Sequence, residues 1–153
     1  MPNKQKFNEL IKLLDSYELK WAIIRELFKL DAKEAFKFYK DDYFEQLIDI
    51  LYLLNKEKID FNIVDNSQEL TTLYYSKGYL NKKSTSKVFA LNLIANAKSC
   101  DFNSGDLEFI YICKKCKSRY PLFFNRCPKC HRAYKINIEV SVAKKAKRGK
   151  TLQ

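Results

Sequence analysis

Four of the five cysteines form two pairs that could bind one metal ion. Cys113 and Cys116 form the first Cys-x-x-Cys pair, and Cys127 and Cys130 form the second after a ten-residue spacer. A two-residue gap lets the chain curl around an ion so that both sulfurs of a pair reach it. Two such hooks supply the four thiolates of a closed tetrahedral site. The spacing therefore predicts a metal site at these four residues.

The identity of the ion is less tightly specified than its ligands. Zinc suits four thiolates, and iron in four thiolates forms a rubredoxin centre, which Cys-Pro-x-Cys and the nearby aromatic residues also suit. Rubredoxin-like hooks usually place glycine directly after the second cysteine, where the backbone turns to positive φ. Lys117 and His131 hold those positions here. We predict Zn²⁺, with Fe and one-electron transfer as the alternative.

The remaining reactive side chains do not form a catalytic group. His131 could replace Cys130 as a ligand, but two adjacent residues rarely bind one tetrahedral ion, so we interpret it as a bystander. Cys100 is expected to be a small buried residue. Four thiolates leave no open position for water or substrate, and His131 is the only histidine. The pattern favours a structural ion and a protein that is not an enzyme.

Composition and charge divide the chain into a near-neutral part and a basic part. The chain has 153 residues and a formal net charge of +11, of which residues 101–153 carry +9. Three glycines and three prolines are few, which favours long regular elements. The N-terminus lacks the apolar core of a signal peptide, and paired Cys-x-x-Cys hooks without one are typical of metal ligands in a reducing compartment. We expect a cytoplasmic protein without a membrane span.

The first 100 residues predict a helical domain. Apolar residues recur at helical spacing from Phe7 to Leu14 and again from Trp21 to Phe28. Short polar interruptions then predict further helices, which gives about six helices in three hairpins. The expected fold is mainly α, a helical-hairpin bundle or short α-solenoid, with residues 1–100 as its domain.

Several local signals mark where these helices begin and end. Asp31 with Glu34, and Asp42 with Glu45, resemble capping boxes. Asn66 or Ser67 is expected to cap a helix that ends near Gly78, and Thr85 or Ser86 to start the last one. The range 59–65 alternates between apolar and polar residues, which we interpret as an extended connection. The pair of helices over 70–97 has some features of a tetratricopeptide repeat.

The C-terminal third predicts a small β module around the hooks. Residues 101–106 are interpreted as a linker, and residues 107–142 as a zinc ribbon. Residues 107–112 predict a strand, and apolar residues alternate strictly with polar ones from Tyr134 to Val142. These two strands are expected to pair antiparallel and cover the metal. Residues 143–153 form a basic tail that we expect to be disordered.

The hooks and their flanks resemble the C-terminal rubredoxin-type zinc ribbon of the lipopolysaccharide assembly protein B family. The matching residues are Tyr111, Cys113, Cys116, Cys127, Pro128 and Cys130, and Tyr134 stands near the family's tryptophan. In that family the ribbon follows tetratricopeptide repeats, packs against them, and serves a regulatory adaptor in envelope lipid synthesis. The resemblance implies the same order of helices and ribbon here. We expect no counterpart of the family's membrane-anchoring helix in this sequence, and Lys117 replaces the family's usual glycine.

Two functions follow as the main alternatives. The first is a non-catalytic adaptor that contacts proteins through its ribbon. The second is a zinc ribbon that binds nucleic acid, because cations could hold phosphates while aromatic rings stack on bases. Both use the same candidate contact residues, which are Lys114, Lys115, Lys117, Arg119, Tyr120, Phe123, Phe124, Arg126, Lys129, Arg132, Lys144, Lys145, Lys147 and Arg148.

Overall fold

A computed structural model of the protein describes residues 17–100 and 105–143, with the side chains described from residue 20 onward. Helices come first and a three-stranded sheet follows. The helices are α1 (Tyr17–Leu30), α2 (Ala32–Phe36), α3 (Phe44–Leu53), α4 (Phe61–Val64), α5 (Gln68–Ser76) and α6 (Phe89–Ser99). The strands are β1 (Asp106–Cys113), β2 (Arg119–Tyr120) and β3 (Ile136–Ala143). The predicted order of helices and then a small β module is confirmed.

The predicted helix over 7–14, most of the linker and the basic tail after Ala143 lie outside the described residues. None of the helices that the structure describes has the length and hydrophobicity needed to span a bilayer.

Helix boundaries in the first half follow side-chain caps. The Asp31 carboxylate accepts a hydrogen bond from the Glu34 N–H (3.2 Å) at the start of α2, as the capping signal predicts. The Ser67 hydroxyl accepts from the Leu70 N–H (3.0 Å) at the start of α5. Gly78 follows the end of α5 with φ +85°, a left-handed conformation that glycine adopts without a steric cost. These three predicted boundaries are confirmed.

Three other boundaries differ from the sequence prediction. Within the range 59–65 only Ile59 and Asp60 are extended, because the Asp60 carboxylate caps the short helix α4 (Phe61–Val64) by accepting from the Asn62 N–H. Asp42 caps no helix, since it lies inside a 3₁₀ turn that leads directly into α3. Helix α6 begins at Phe89, after a segment that the buried Glu69 carboxylate holds by accepting from Lys87 N–H. Ser86 also bonds locally to Val88 and Asn92 in this segment, but the Glu69 contact is 18 residues away in sequence and local sequence does not reveal it.

Cys100 is also not where we expected it. It terminates α6 and is exposed, whereas the sequence analysis predicts a buried residue. The preceding helix buries Leu91, Ile94 and Ala95 on a different face, so the position after Ser99 points away from the core.

The sheet has the strand order β2-β1-β3, with both pairings antiparallel. Register places Tyr111 opposite Ile138 and Cys113 opposite Ile136. Alternate residues therefore share one face, and this face contacts the helices. Tyr134 does not continue β3, because its φ of +57° turns the chain before Ile136. The antiparallel pairing of the two strands that flank the hooks is confirmed.

The sheet and the helices share one hydrophobic core. Leu107, Tyr111 and Ile136 of the sheet belong to the same buried cluster as Leu47 and Leu91 of the helices. Edge-to-face ring contacts extend this packing, with Tyr52 of α3 against Phe109 of β1 at 5.8 Å between centroids. The Tyr52 hydroxyl also donates to the Asp106 carboxylate (2.9 Å) at the start of β1. The β module is thus packed directly on the helical domain.

A buried polar cluster joins the two parts at the centre of this contact. Arg25 of α1 donates two hydrogen bonds to the Asp49 carboxylate of α3, at 2.8 and 2.7 Å. Tyr111 of β1 donates its hydroxyl hydrogen to the same carboxylate (2.6 Å). Arg25 and Asp49 are only 3 and 4% exposed, and burial together with the Asp49 carboxylate raises the pKa of Tyr111 above its usual value. Tyr111 therefore stays protonated and continues to donate.

The cluster gives a direct test of the contact between helices and sheet. Replacing Tyr111 with Phe leaves a buried carboxylate with one donor fewer, which costs about 1–3 kcal/mol of unfolding free energy. Urea denaturation of the metal-loaded protein measures this loss. Tyr75→Phe is the matched control, because its hydroxyl bonds Ser99 at the surface, and it should cost less than about 0.5 kcal/mol. An equal loss of unfolding free energy in both variants would contradict a specific stabilising contribution from the hydrogen bond between Tyr111 and Asp49.

Candidate metal centre

Each Cys-x-x-Cys hook is one tight turn, and the two turns have the same hydrogen-bond pattern. In the first, the Lys117 N–H donates to the Cys113 carbonyl (2.9 Å) and the Cys113 N–H donates to the Ser118 carbonyl (3.0 Å). In the second, the His131 N–H donates to the Cys127 carbonyl (2.9 Å) and the Cys127 N–H to the Arg132 carbonyl (2.9 Å). The turns curl the chain so that the two sulfurs of a pair point the same way.

Both turns close with a residue in the left-handed conformation. Lys117 and His131 each have φ of 67°. These are the two positions that hold glycine in most rubredoxin-like hooks, and the same backbone conformation occurs here without it. A non-glycine residue in this region costs roughly 1 kcal/mol, which the hydrogen bonds of each turn must offset.

The four sulfurs converge on a volume of the right size for one ion. Their Sγ atoms all lie within 4.8 Å of one another. The Sγ atoms of Cys113 and Cys130 are 3.6 Å apart, and so are the Sγ atoms of Cys116 and Cys127. A tetrahedral ion bound by sulfur at about 2.3 Å separates its ligands by about 3.8 Å. These residues therefore fit a metal ion with four thiolate ligands, as the sequence predicts.

The thiols differ in how readily they become thiolates. Burial opposes ionisation of Cys127, but the N–H groups of Cys130 and Lys129 and the Tyr120 hydroxyl favour it, which lowers the pKa of Cys127 to about 6. For Cys130, the Arg132 N–H favours the thiolate, but burial and the neighbouring thiols raise its pKa to about 11. Protons on closely spaced sulfurs thus compete with a cation for the centre.

The four candidate ligands differ in burial, and hydroxyl groups lie beside two of them. Cys113 ends β1 and is fully buried, as is Cys127. The Ser118 hydroxyl lies 3.1 Å from the Cys116 sulfur, and the Tyr120 hydroxyl lies 3.8 Å from the Cys127 sulfur. Cys116 and Cys130 are partly exposed. This arrangement favours a structural ion that holds the two turns together.

Among the described residues, these four cysteines are the one group of cysteine, histidine and carboxylate side chains whose ligand atoms converge in this way. The His131 side chain is exposed and is not part of the group.

The candidate contact cations lie on the surface of the β module. Those that the structure describes and finds exposed are Lys114, Lys115, Lys117, Arg119, Arg126, Lys129 and Arg132. Two of them have internal partners: Arg119 pairs with Glu139, and Arg126 donates to the His131 carbonyl (2.7 Å). Lys144, Lys145, Lys147 and Arg148 lie outside the described residues.

The candidate contact rings lie inside the module or against the helices. Phe124 is buried and packs edge-on against Tyr120, with 5.2 Å between centroids. Phe123 contacts the Trp21 ring edge-on (6.3 Å), and the Arg25 guanidinium lies 3.6 Å from its centroid. Internal packing therefore occupies a large part of the surfaces of Phe123 and Phe124.

The residues that connect the β module to the helices are not among the candidate contact residues predicted from the sequence. Arg25 is adjacent to Ile24 and follows Trp21 by four positions, and Asp49 lies between Ile48 and Ile50. Charged residues on an apolar helical face are seldom buried unless they are paired. The position of Arg25 and Asp49 on apolar faces is therefore the sequence signal for a buried ion pair. It does not identify Tyr111 as the third member of the cluster.

Comparison with protein-family models, with curated proteins and with solved structures finds no match for this chain.

Metal binding by the four cysteines can be measured directly. The protein should bind one metal ion per chain, and Cys113→Ser should abolish stoichiometric binding because it removes a buried ligand. Cys100→Ser is the control and should bind as the parent does. Affinity, measured by competition with a chelator, should fall as pH is lowered from 8 to about 6, because binding must displace more protons from the thiols. Equal metal content in the two variants would contradict the assignment.

The left-handed turn residues give a second test. Lys117→Gly removes the strain of a side chain at positive φ and should raise the unfolding free energy by about 0.5–1 kcal/mol, after the entropy of glycine in the unfolded chain is included. Lys115→Gly is the matched control in the same turn, and it should lower stability by about the same amount because Lys115 is not at positive φ. Urea denaturation with metal bound measures both, and a loss in both variants would contradict the inferred strain.

Proposed function

We propose that this protein is a non-catalytic zinc-binding adaptor, in which a zinc ribbon is built onto a helical scaffold and contacts other proteins. One observation carries the proposal. The four thiols converge on one site, and the module that holds them is packed into the core of the helices through Tyr111 and Asp49. An ion in that position shapes a surface and fixes it relative to the scaffold.

Zinc is the ion we propose for the site. A closed set of four thiolates is typical of structural zinc, which has no redox chemistry and contributes folding free energy outright. A colourless protein that binds zinc stoichiometrically would support this assignment, whereas a coloured, reducible centre would favour the electron carrier.

The proposed role is not catalytic. Four cysteine ligands complete the coordination of a tetrahedral ion, so neither water nor substrate has a position on the metal. Cysteines that bind a metal must not be oxidised to disulfides, which favours a reducing compartment such as the cytoplasm. The resemblance to the lipopolysaccharide assembly protein B ribbon supports a regulatory adaptor, and envelope lipid regulation is the pathway it suggests.

The surface of the ribbon indicates the kind of partner. The ribbon carries exposed cations and also accessible apolar side chains, among them Leu122 (76% exposed) and Tyr134 (39%). A mixture of apolar and cationic residues suits an acidic protein surface with an apolar centre. Nucleic acid is the second candidate because of the same cations. Internal packing of Phe123 and Phe124 leaves less ring surface for base stacking, which favours the protein partner.

A charge-reversal experiment tests this function on the intact chain. Deleting the ribbon is unsuitable because it would expose the shared core. We therefore compare a triple ribbon variant, Lys114→Glu, Lys129→Glu and Arg132→Glu, with a control triple in the helical part of the chain, Lys33→Glu, Lys58→Glu and Lys83→Glu. All six residues are exposed, and both triples change the net charge equally. The zinc-loaded proteins serve as baits in affinity capture with and without nuclease.

The outcomes separate the candidate functions. The adaptor proposal expects protein partners that the parent and the control triple retain, that the ribbon variant loses, and that nuclease does not remove. Loss of all partners after nuclease treatment would favour the nucleic-acid function. Retention of every partner by the ribbon variant would contradict a contact through the ribbon.

A further inference from the structure

The outer edge of β3 is unpaired along its whole length in the part of the chain that the structure describes. Strand β1 lies between β2 and β3, so β3 pairs on one side only. No backbone hydrogen bond joins Ile136–Ala143 to a described segment other than β1. Eight residues therefore present one row of backbone N–H and C=O groups to the outside.

This edge lacks the features that normally prevent strand pairing. Natural edge strands are short, or carry lysine, proline or a bulge. β3 has eight residues, contains neither proline nor lysine, and pairs with β1 in an uninterrupted register. Its one charged residue is Glu139, which reaches across the sheet to Arg119 of β2. The glutamate is thus directed toward β1 and away from the free edge.

Apolar side chains continue from the edge onto α6. A cleft of about 210 Å³ beside β3 is lined by Ile138 and Val140 of the strand and by Phe89 of α6. Phe89 is 74% exposed, and Leu93, one turn later on the same helix, is 45% exposed. Glu45 and Lys87 also line this cleft. A surface with apolar residues and both charge signs can be complementary to a copy of itself.

We propose that the free edge of β3 is a dimer interface, in which β3 pairs antiparallel with β3 of a second copy of this chain. A two-fold axis perpendicular to the sheet relates two antiparallel edge strands, so one residue of β3 must pair with its own copy. Centring on Glu139 would place two carboxylates opposite each other, which is unfavourable. Centring on Val140 avoids this, because Glu139 then pairs with Ser141 and Ile138 with Val142.

The second copy explains the exposed surface on α6. The axis keeps the helices of both copies on one side of a continuous six-stranded sheet. Phe89 and Leu93 then lie beside the partner strand and face the partner helix. Glu45 of one copy approaches the same cleft that contains Lys87 of the other. The pairing would cover both the unpaired backbone groups and the apolar residues next to them.

Sedimentation equilibrium of the zinc-loaded full chain tests for the dimer, and cross-linking tests its register. In a Cys100→Ser background, Val140→Cys places two thiols directly across the axis, where a short bis-maleimide can join them. Val142→Cys is the matched control, with the same substitution on the same face of β3. In the proposed register its two copies are four residues apart along the strand pair, about 14 Å, so they should cross-link at least tenfold less.

Each outcome decides the proposal. Support requires a concentration-dependent dimer of the parent and selective cross-linking of Val140→Cys. A parent that remains monomeric up to about 1 mM, which corresponds to a binding free energy weaker than about −4 kcal/mol, would overturn it. So would a dimer that cross-links equally at both positions or at neither, since the contact would then involve another register or another face.

Discussion

The carboxylate of Asp49 is the constraint on which the arrangement of this protein depends. A buried carboxylate is strongly unfavourable unless charged and polar partners surround it. Arg25 supplies the opposite charge from α1, and Tyr111 supplies a third hydrogen bond from the metal module. Each Asp49 oxygen accepts one hydrogen bond from Arg25, and Tyr111 adds a further bond to one of them. A carboxylate that the helices bury is thus also bonded to β1.

The same strand leads directly into the metal site, which links metal binding to the position of the module. Tyr111 precedes the ligand Cys113 by two residues, so both side chains point to the same face of β1. Phe123, in the segment between the two hooks, covers the guanidinium of Arg25 from the other side. The spacer between the hooks is thus part of the interface with the helices. The residues that could hold a metal and those that contact the Arg25–Asp49 pair therefore lie close together along the chain.

Sequence reasoning identified the parts of this fold whose cause is local. Cysteine spacing predicts the four sulfurs that converge. The alternation from Tyr134 to Val142 predicts β3, which begins two residues later at Ile136. Asp31 and Ser67 cap their helices through hydrogen bonds from residues three positions later. The errors have non-local causes. The start of α6 depends on Glu69, which is distant in sequence, and α4 replaces an extended segment because the cap at Asp60 outweighs a short alternating pattern. The cluster of Arg25, Asp49 and Tyr111 was missed for the same reason, since its members come from three separate elements. Tyr111 enters the sequence analysis only as part of the hook motif.

The charge distribution also has a different meaning once the fold is known. Most of the net positive charge lies in the last third of the sequence. Four thiolates around a divalent ion would carry a net charge of −2, and part of this positive charge would offset it. The cations of the hooks are exposed, while the rings between them face inward toward α1 and the module's own core. Cationic and aromatic residues that alternate in sequence are therefore separated in space. The β module presents exposed cations on its surface, while Phe123 and Phe124 pack internally or against α1. For the function we propose, recognition would therefore depend on the exposed cations more than on these two rings.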